Sequence, residues 1–288
     1  MKVGILLHEL GNLETGSLVN LFSQLLGDLE LDSKSQLKII LTDTFRQSYN
    51  LDTALGRLYS SSRDYLLSKD LYRISIDVLI QQFSINDLQL DWLFVPEETY
   101  GSKFTHKNLR VFQQPNSSSC NNTLTNSSSD FEKYKVSALG GTFDHIHDGH
   151  KILLSMAAFV TSSRLIVGVT DQDLLVNKKY KEFLETVDQR CNNVKKFLTL
   201  FKPTLRVDIV LIKDVCGPTG TVPEIEALVV SRETVQGGKL VNKTRVEKGL
   251  SELNISIVNV LGGKEEDGWK EKLSSTELRK RDMEMGQN

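Results

Sequence analysis

The stretch Ser137–Leu154, S-A-L-G-G-T-F-D-H-I-H-D-G-H-K-I-L-L, constrains this chain more than any other. A short apolar run, Val136–Leu139, has strand length and runs straight into Gly140 and Gly141. Beyond Lys151 the apolar residues Ile152, Leu153, Met156, Ala157 and Val160 return at helical spacing. The stretch therefore predicts a strand, a glycine turn and a helix start in immediate succession. Glycine lets the backbone turn tightly and come close to a ligand. The first amides of a helix lack internal partners and carry the positive end of its dipole. His147 and His150, three apart, point to one side of that start. Imidazoles titrate near neutrality, so an anion beside both rings favours their protonated, donating forms. Such a stretch suits a polyphosphate.

The remaining chain supplies the layers for such a turn to sit in. Val3–Leu7, Leu37–Leu41 and Asp91–Val95 have strand length, the last ending at Pro96. Leu18, Leu21, Phe22, Leu25 and Leu26 keep helical spacing, and Leu51–Leu67 is amphipathic. Residues 113–130, Q-Q-P-N-S-S-S-C-N-N-T-L-T-N-S-S-S-D, are polar and of low complexity, which reads as a linker. Three parts follow: a smaller α/β domain over 1–112, a disordered linker over 113–132, and a second domain over 133–288. In the last part strands over Leu165–Val169, Val207–Ile212, Ala227–Val230 and Ile255–Leu261 alternate with helical stretches. One helix carries Phe183, Val187, Cys191, Val194, Phe197, Leu198 and Phe201 on its inner face; another covers Val241–Leu253, and a last one begins at Ser274. Alternation of this kind predicts a Rossmann-like parallel sheet covered on both faces, with ligands at the C-terminal strand ends.

A weaker repeat runs through the chain. The distance from Ile5-Leu6-Leu7 to Glu14-Thr15-Gly16-Ser17 matches that from Val136–Leu139 to the histidine motif within a few residues. The first half then reads as a relative of the second without histidines, or as any strand-turn-helix unit that contains a glycine. Differing strand orders would separate the two halves.

With 288 residues, 39% of them hydrophobic, each half is long enough for its own core. A formal net charge of −2 argues against a nucleic-acid footprint or a basic membrane patch. Cys120, Cys191 and Cys216 are too far apart for a disulfide framework or a zinc site. No apolar run approaches the roughly 18 residues of a membrane span, and Val3–Leu7 is too short for a signal-peptide core. A cytoplasmic protein is expected, with the nucleus as a further location.

G-G-T-F-D-x-x-H-D-G-H resembles the signature of the H-x-G-H nucleotidyltransferase superfamily, and most closely that of the pantetheine-phosphate adenylyltransferases. Leu273-Ser274-Ser275-Thr276-Glu277-Leu278-Arg279 is similar to the superfamily's I-S-S-T-x-x-R, and L-D-T-A-L-G-R-L-Y resembles the N-terminal extension of fungal forms. The resemblance implies transfer of the adenylyl group of ATP to 4′-phosphopantetheine. It puts Gly141, Phe143, His147, Gly149, His150, Arg232, Ser274, Ser275, Thr276 and Arg279 on ATP, and Thr142 and Lys178 on the acceptor. His150, His147, Lys178 and Arg232 would carry the catalysis. Asp144 either braces the turn or simply forms it. Lys179 is the alternative to Lys178.

Where bacterial relatives have a second arginine three positions after Arg232, this chain has Val235, so Lys239, Lys243 or Arg245 would have to supply charge. Asn242 is a candidate for the ribose or adenine, and Trp269 for packing near the base. Cys216 sits in C-G-P-T-G, which resembles the loop that approaches the pantetheine arm in eukaryotic forms; no base is paired with it in sequence. No protein metal set is evident, so Mg2+ is expected to arrive with ATP. The absence of G-x-x-x-x-G-K-[ST] implies no fused kinase.

Two other readings stay in view. One is a sibling enzyme acting on nicotinamide mononucleotide or a choline- or ethanolamine-type phosphate, although the R-T-x-G-I-S-T motif of the cytidylyltransferases is missing. The other is a scaffold for coenzyme A-synthesis enzymes. Homo-oligomerisation is left open by the sequence.

Overall fold

In the computed structural model the described residues are 1–8, 10, 15–85, 88–114, 128–259, 261 and 272–286. Most of the polar tract, with Cys120, and Trp269 lie outside them.

Strands β1 (Lys2–Leu7), β2 (Gln36–Leu41), β3 (Ser75–Ile80), β4 (Leu90–Val95) and β5 (His106–Val111) form one sheet in the order β3-β2-β1-β4-β5. Strands β6 (Tyr134–Gly141), β7 (Thr161–Thr170), β8 (Arg206–Ile212), β9 (Ala227–Ser231) and β10 (Asn254–Val258) form a second, in the order β10-β9-β6-β7-β8. Every pairing in both is parallel. Numbered from its own first strand, each sheet runs 3-2-1-4-5, one of them read from the opposite edge. The strand orders therefore do not separate the halves.

The helices are α1 (Thr15–Leu26), α2 (Ser48–Ser68), α3 (Asp148–Val160), α4 (Val187–Phe201), α5 (Val235–Glu247) and α6 (Ser275–Gly286). The fold is α/β and doubly wound in its second half. Leu139, Leu165, Val167 and Val229 point to the side shared with α3 and α4, while Ala138, Ile166, Leu228 and Val230 point to the side of Val241 in α5. None of the described helices is long and apolar enough to cross a membrane.

Helix α3 is the centre of the molecule. Ile152, Leu154, Ala157, Phe159 and Val160 are all shielded from solvent, so the helix is apolar on every side below its first turn. That is the pattern of a helix buried between layers rather than lying on a surface. It packs on β6 and β7 of its own sheet, on α4, and on α2 of the first half. One apolar core runs from Val3 and Phe22 through Leu154 and Phe159 to Val258, without a break between the sheets.

Several element boundaries differ from the sequence reading. Helix α4 begins at Val187, because Thr186 and Gln189 make a capping box; Phe183 falls in a separate turn over Lys181–Phe183. Helix α5 starts at Val235 and stops at Glu247, short of Leu253, and β10 stops at Val258. Strands β3 and β5 were not expected. The first is needed to complete the sheet beside β2, and the second closes its far edge beside β4.

Candidate active site

The site is built where β6 ends. Gly140 and Gly141 pair with Gly168 and Val169 of β7, and the chain then turns through Thr142–Ile146 into α3. A Cβ on Gly141 would lie 3.1 Å from the Phe143 ring, so only glycine leaves that ring where it is. Phe143 itself is fully buried at φ 52°, and His145 follows at φ 45°. Two non-glycine residues in the left-handed region within one turn cost on the order of 1 kcal/mol each or more, and the surroundings must hold them there.

Asp144, fully buried, provides that hold. Its Oδ1 accepts the Glu185 N–H at 2.9 Å, and its Oδ2 receives the Arg279 guanidinium at 2.5 Å and lies 3.1 Å from His145 Nδ1. Burial works against the charge, but His145, the Glu185 amide and Arg279 together hold its carboxyl below the usual range. Burial likewise opposes charge on His145, yet Asp144 first, then Glu185 and Asp282, raise its pKa. Asp144, His145 and Glu185 have ligand atoms within 4.8 Å of one another. They do not fit a metal centre: Glu185 already accepts the His145 N–H and the Asn193 amide, and Asp144 is saturated by Arg279 and the backbone.

His147 is the N-cap of α3, with extended backbone, and His150 lies in its first turn. Their rings are 3.9 Å apart between centroids, with 34° between planes, and Phe143 backs His150 at 5.4 Å. The first internal bond of the helix runs from Lys151 N–H to His147 C=O at 3.0 Å. The amides of Asp148, Gly149 and His150 thus precede the ladder and present their hydrogens at the positive helix end. Burial, then the charges of Lys151, Arg63 and His145, push His147 down to about 3. Burial and the neighbouring His147 hold His150 well below its ordinary value. Burial thus favours the neutral form of both rings, in which each has one N–H to donate.

Both rings open into a cavity of about 760 Å³. Its polar lining includes the histidines with Ser231 and Thr234, and its apolar lining includes Ile212, Val215, Leu228 and Val241. Gly141, Phe143 and Gly149 also face it. Cys216 stands on its wall with Thr219, its thiol 3.6 Å from the Thr244 hydroxyl.

The residues matched by motif distribute unevenly. Ser275 donates from its hydroxyl to the Asp144 carbonyl at 2.8 Å, Ser274 accepts the Glu277 N–H, and Thr276 accepts from Arg279 at 3.1 Å. Arg279 is 2% exposed, and its Nε bonds the Lys179 carbonyl at 2.9 Å. S-S-T-x-x-R is thereby clamped on the T-F-D turn, next to the cavity but not part of its wall. The Thr142 carbonyl is fixed by Arg190. Lys178 is exposed on the loop after β7, and Arg232 is exposed at the end of β9, between the cavity residues Ser231 and Glu233.

Two candidates change role. Arg245 is fully buried and donates to the carbonyls of Ser251, Thr219 and Val222, so it staples loops and is not a spare charge. Asn242 bonds the Leu253 backbone from both ends of its amide, which ties α5 to the residue before β10.

Residues 138–281 match the family model described as cytidylyltransferase-like. Phosphopantetheine adenylyltransferase of Saccharomyces cerevisiae is 49% identical over 258 residues, which cover 86% of this chain and 84% of that one. The chain belongs to the phosphopantetheine adenylyltransferase family. The Pyrococcus abyssi member is 36% identical over 147 residues, 51% of this chain and 90% of its own. A Pyrobaculum aerophilum member is 33% identical over 149 residues, 92% of its own length.

This member carries functional scaffolding that its sequence did not reveal. Arg190 is fully buried and holds the Thr142 and Thr170 carbonyls at 2.8 Å each, tying together the ends of β6 and β7. Arg63 and Asp77, from the first half, bond Asp148 and Lys151 of α3. For Arg190 only its place in the first turn of α4 gave a hint. For Arg63 and Asp77 nothing local did, because their partners in α3 are more than 70 residues away.

Proposed function

We infer that this chain transfers the adenylyl group of ATP to 4′-phosphopantetheine, giving dephospho-coenzyme A and pyrophosphate. The observation that carries the reading is the close pair of imidazoles at a helix N-terminus, opening into a cavity lined by both polar and apolar residues. A phosphate oxygen of the acceptor attacks the α-phosphorus, the bond from that phosphorus to its bridging oxygen breaks, and pyrophosphate leaves with the electron pair. No proton has to move, so the protein's task is positioning and charge stabilisation.

We assign the work as follows. His150 donates to the α-phosphate and its leaving oxygen, and His147 to the next phosphate. The amides of Gly149 and His150 add the helix dipole. Gly141 and Phe143 let the nucleotide lie against the end of β6. Arg232, at the rim, supplies a planar fork of donors for phosphates, and Lys178 is the point charge for the acceptor, whose phosphate Thr142 also meets. Ser274, Ser275 and Thr276 contribute through the start of α6, with Arg279 holding that start on the turn. Mg2+ belongs to the substrate, MgATP, and neutralises its phosphates; the chain's own residues orient what the ion carries. The domains proposed at 1–112 and 133–288 then divide the labour: the second holds the reactants and the first supports it.

The experiment is pyrophosphate release with MgATP and 4′-phosphopantetheine, nicotinamide mononucleotide or phosphocholine offered separately. Turnover is expected with the first alone. His150→Ala should lower it at least about 10²-fold, as loss of a transition-state donor does. Turnover with another acceptor, or a fully active His150→Ala, overturns the reading.

A further inference from the structure

The motif H-D-G-H-K contains two side-chain pairs, each three residues apart and offset from one another by one position. His147 and His150 face the cavity. Asp148 and Lys151, about 100° further round the helix, face the first half of the chain. There Arg63 of α2 grips Asp148 in a two-pronged contact, Nε to Oδ2 at 2.7 Å and Nη2 to Oδ1 at 2.9 Å. The other prong of the guanidinium holds the Tyr72 and Ile74 carbonyls at 2.8 and 3.1 Å. Lys151 places its three protons on Asp77 Oδ1 at 2.7 Å, the Ser75 hydroxyl at 2.8 Å and the Ile76 carbonyl at 2.7 Å. Asp77 is also held by Lys38 of β2. Arg63, Asp77, Asp148 and Lys151 are all buried.

We propose that Arg63 is a positioning residue for the histidine pair: its fork on Asp148 fixes the first turn of α3 and thereby the direction of His147 and His150. The inference rests on the assigned reaction and deepens it. Gluing two halves together does not call for buried ions, since apolar side chains of similar size do so at least as well. A bidentate arginine contact adds what apolar packing lacks, a fixed direction. The first turn needs one, because Gly149 softens its backbone and its amides have no internal partners. The pairing also cancels the Asp148 carboxylate, which would otherwise repel a triphosphate at the helix end.

The test is steady-state kinetics on the full chain with MgATP and 4′-phosphopantetheine, alongside thermal unfolding of each variant. Arg63→Met is expected to lower kcat about 10²-fold, the cost of misplacing a catalytic group by about 1 Å, with KM for 4′-phosphopantetheine little changed. Arg63→Lys should recover part of that loss. Arg63→Met combined with Asp148→Asn should lose no more than Arg63→Met alone, since both remove one contact. Leu21→Ala, on the buried face of α1, calibrates loss of stability alone and should keep kcat. Should Arg63→Met not fold, Arg63→Lys and Asp148→Asn decide, each expected to lower kcat about 10-fold with a native circular-dichroism spectrum. A folded Arg63→Met with wild-type kcat, or with a loss no larger than that of Leu21→Ala, overturns the inference while the wild type remains active. An inactive wild type instead sinks the assigned reaction, and this inference with it.

Discussion

A histidine buried at the start of α3 leaves a mark on stability. His147 is pushed down to about 3 in the folded chain, from an ordinary 6.5, first by burial and then by Lys151, Arg63 and His145. As pH falls through about 6.5 the unfolded ring takes up a proton and the folded ring does not. The unfolded state therefore binds more protons across that window, and acidification costs stability by up to about 1.4 kcal/mol per pH unit for this group. The contribution is complete above about pH 6.5 and is lost progressively below it. His147→Asn removes the ring and its share of the slope. Its stability deficit relative to wild type is expected to shrink by about 1 to 2 kcal/mol between pH 7.5 and pH 5. Urea unfolding of both proteins at the two pH values measures it, and a gap that does not change with pH counts against neutral burial of this ring.

At the scale of elements the decisive join is between the T-F-D turn and α6, at opposite ends of the catalytic half. Asp144 and Arg279 are 0% and 2% exposed, and they meet 135 residues apart in sequence. Breaking such a buried pair by neutralising one partner leaves an uncompensated charge and costs about 3–5 kcal/mol. Asp144→Asn should lower stability by that order in chemical denaturation. It should also lower kcat, because the same carboxylate restrains the strained backbone at Phe143 and His145. A variant with wild-type stability would mean that the pair is not closed in solution. The motifs at both ends of this join were legible from residue types and spacing, and so was the α/β alternation around them. What their spacing left out of view is the contact between them: the Ser275 hydroxyl and Arg279 of S-S-T-x-x-R bond the turn. The same limit explains the strands that were missed. β5, H-K-N-L-R-V, is a polar edge paired on one side only, so no apolar run marks it. β3, S-I-D-V-L-I, has Asp77 in its middle, and that carboxylate is tolerated only because Lys38 and Lys151 reach it from distant positions. In α2, Asp52 and Arg63 are buried with partners in the second half, Asn259 and Asp148. Polar residues whose partners are distant in sequence look like surface.

At the scale of the molecule, two sheets of one strand order share a core and a helix, and that bears on how the chain comes apart. The two halves of a chain like this often unfold separately, when the contact between them is small and polar. Here the apolar cluster is continuous across α2 and α3, and Phe159 at the end of α3 touches Phe131 while Phe131 stacks on Phe83 of the first half. Lys202, 2% exposed, caps the same aromatic group from the second half. Exposing this seam alone would uncover α3 on a side that is apolar along its length. It would also part Arg63 from Asp148 and Asp77 from Lys151, but water would hydrate the freed ions, so the cost of opening lies mainly in the apolar surface. Opening the seam thus costs a large part of the roughly 5–15 kcal/mol that a whole domain has to spend. The chain should therefore unfold in one step, with neither half stable alone. Hydrogen exchange followed by mass spectrometry reads this directly: peptides from β2 and from β7 should show the same opening free energy and the same dependence on urea. If β2 opens in urea that leaves β7 protected, the seam is weaker than its burial implies, and Arg63 would be gripping a partner that lets go.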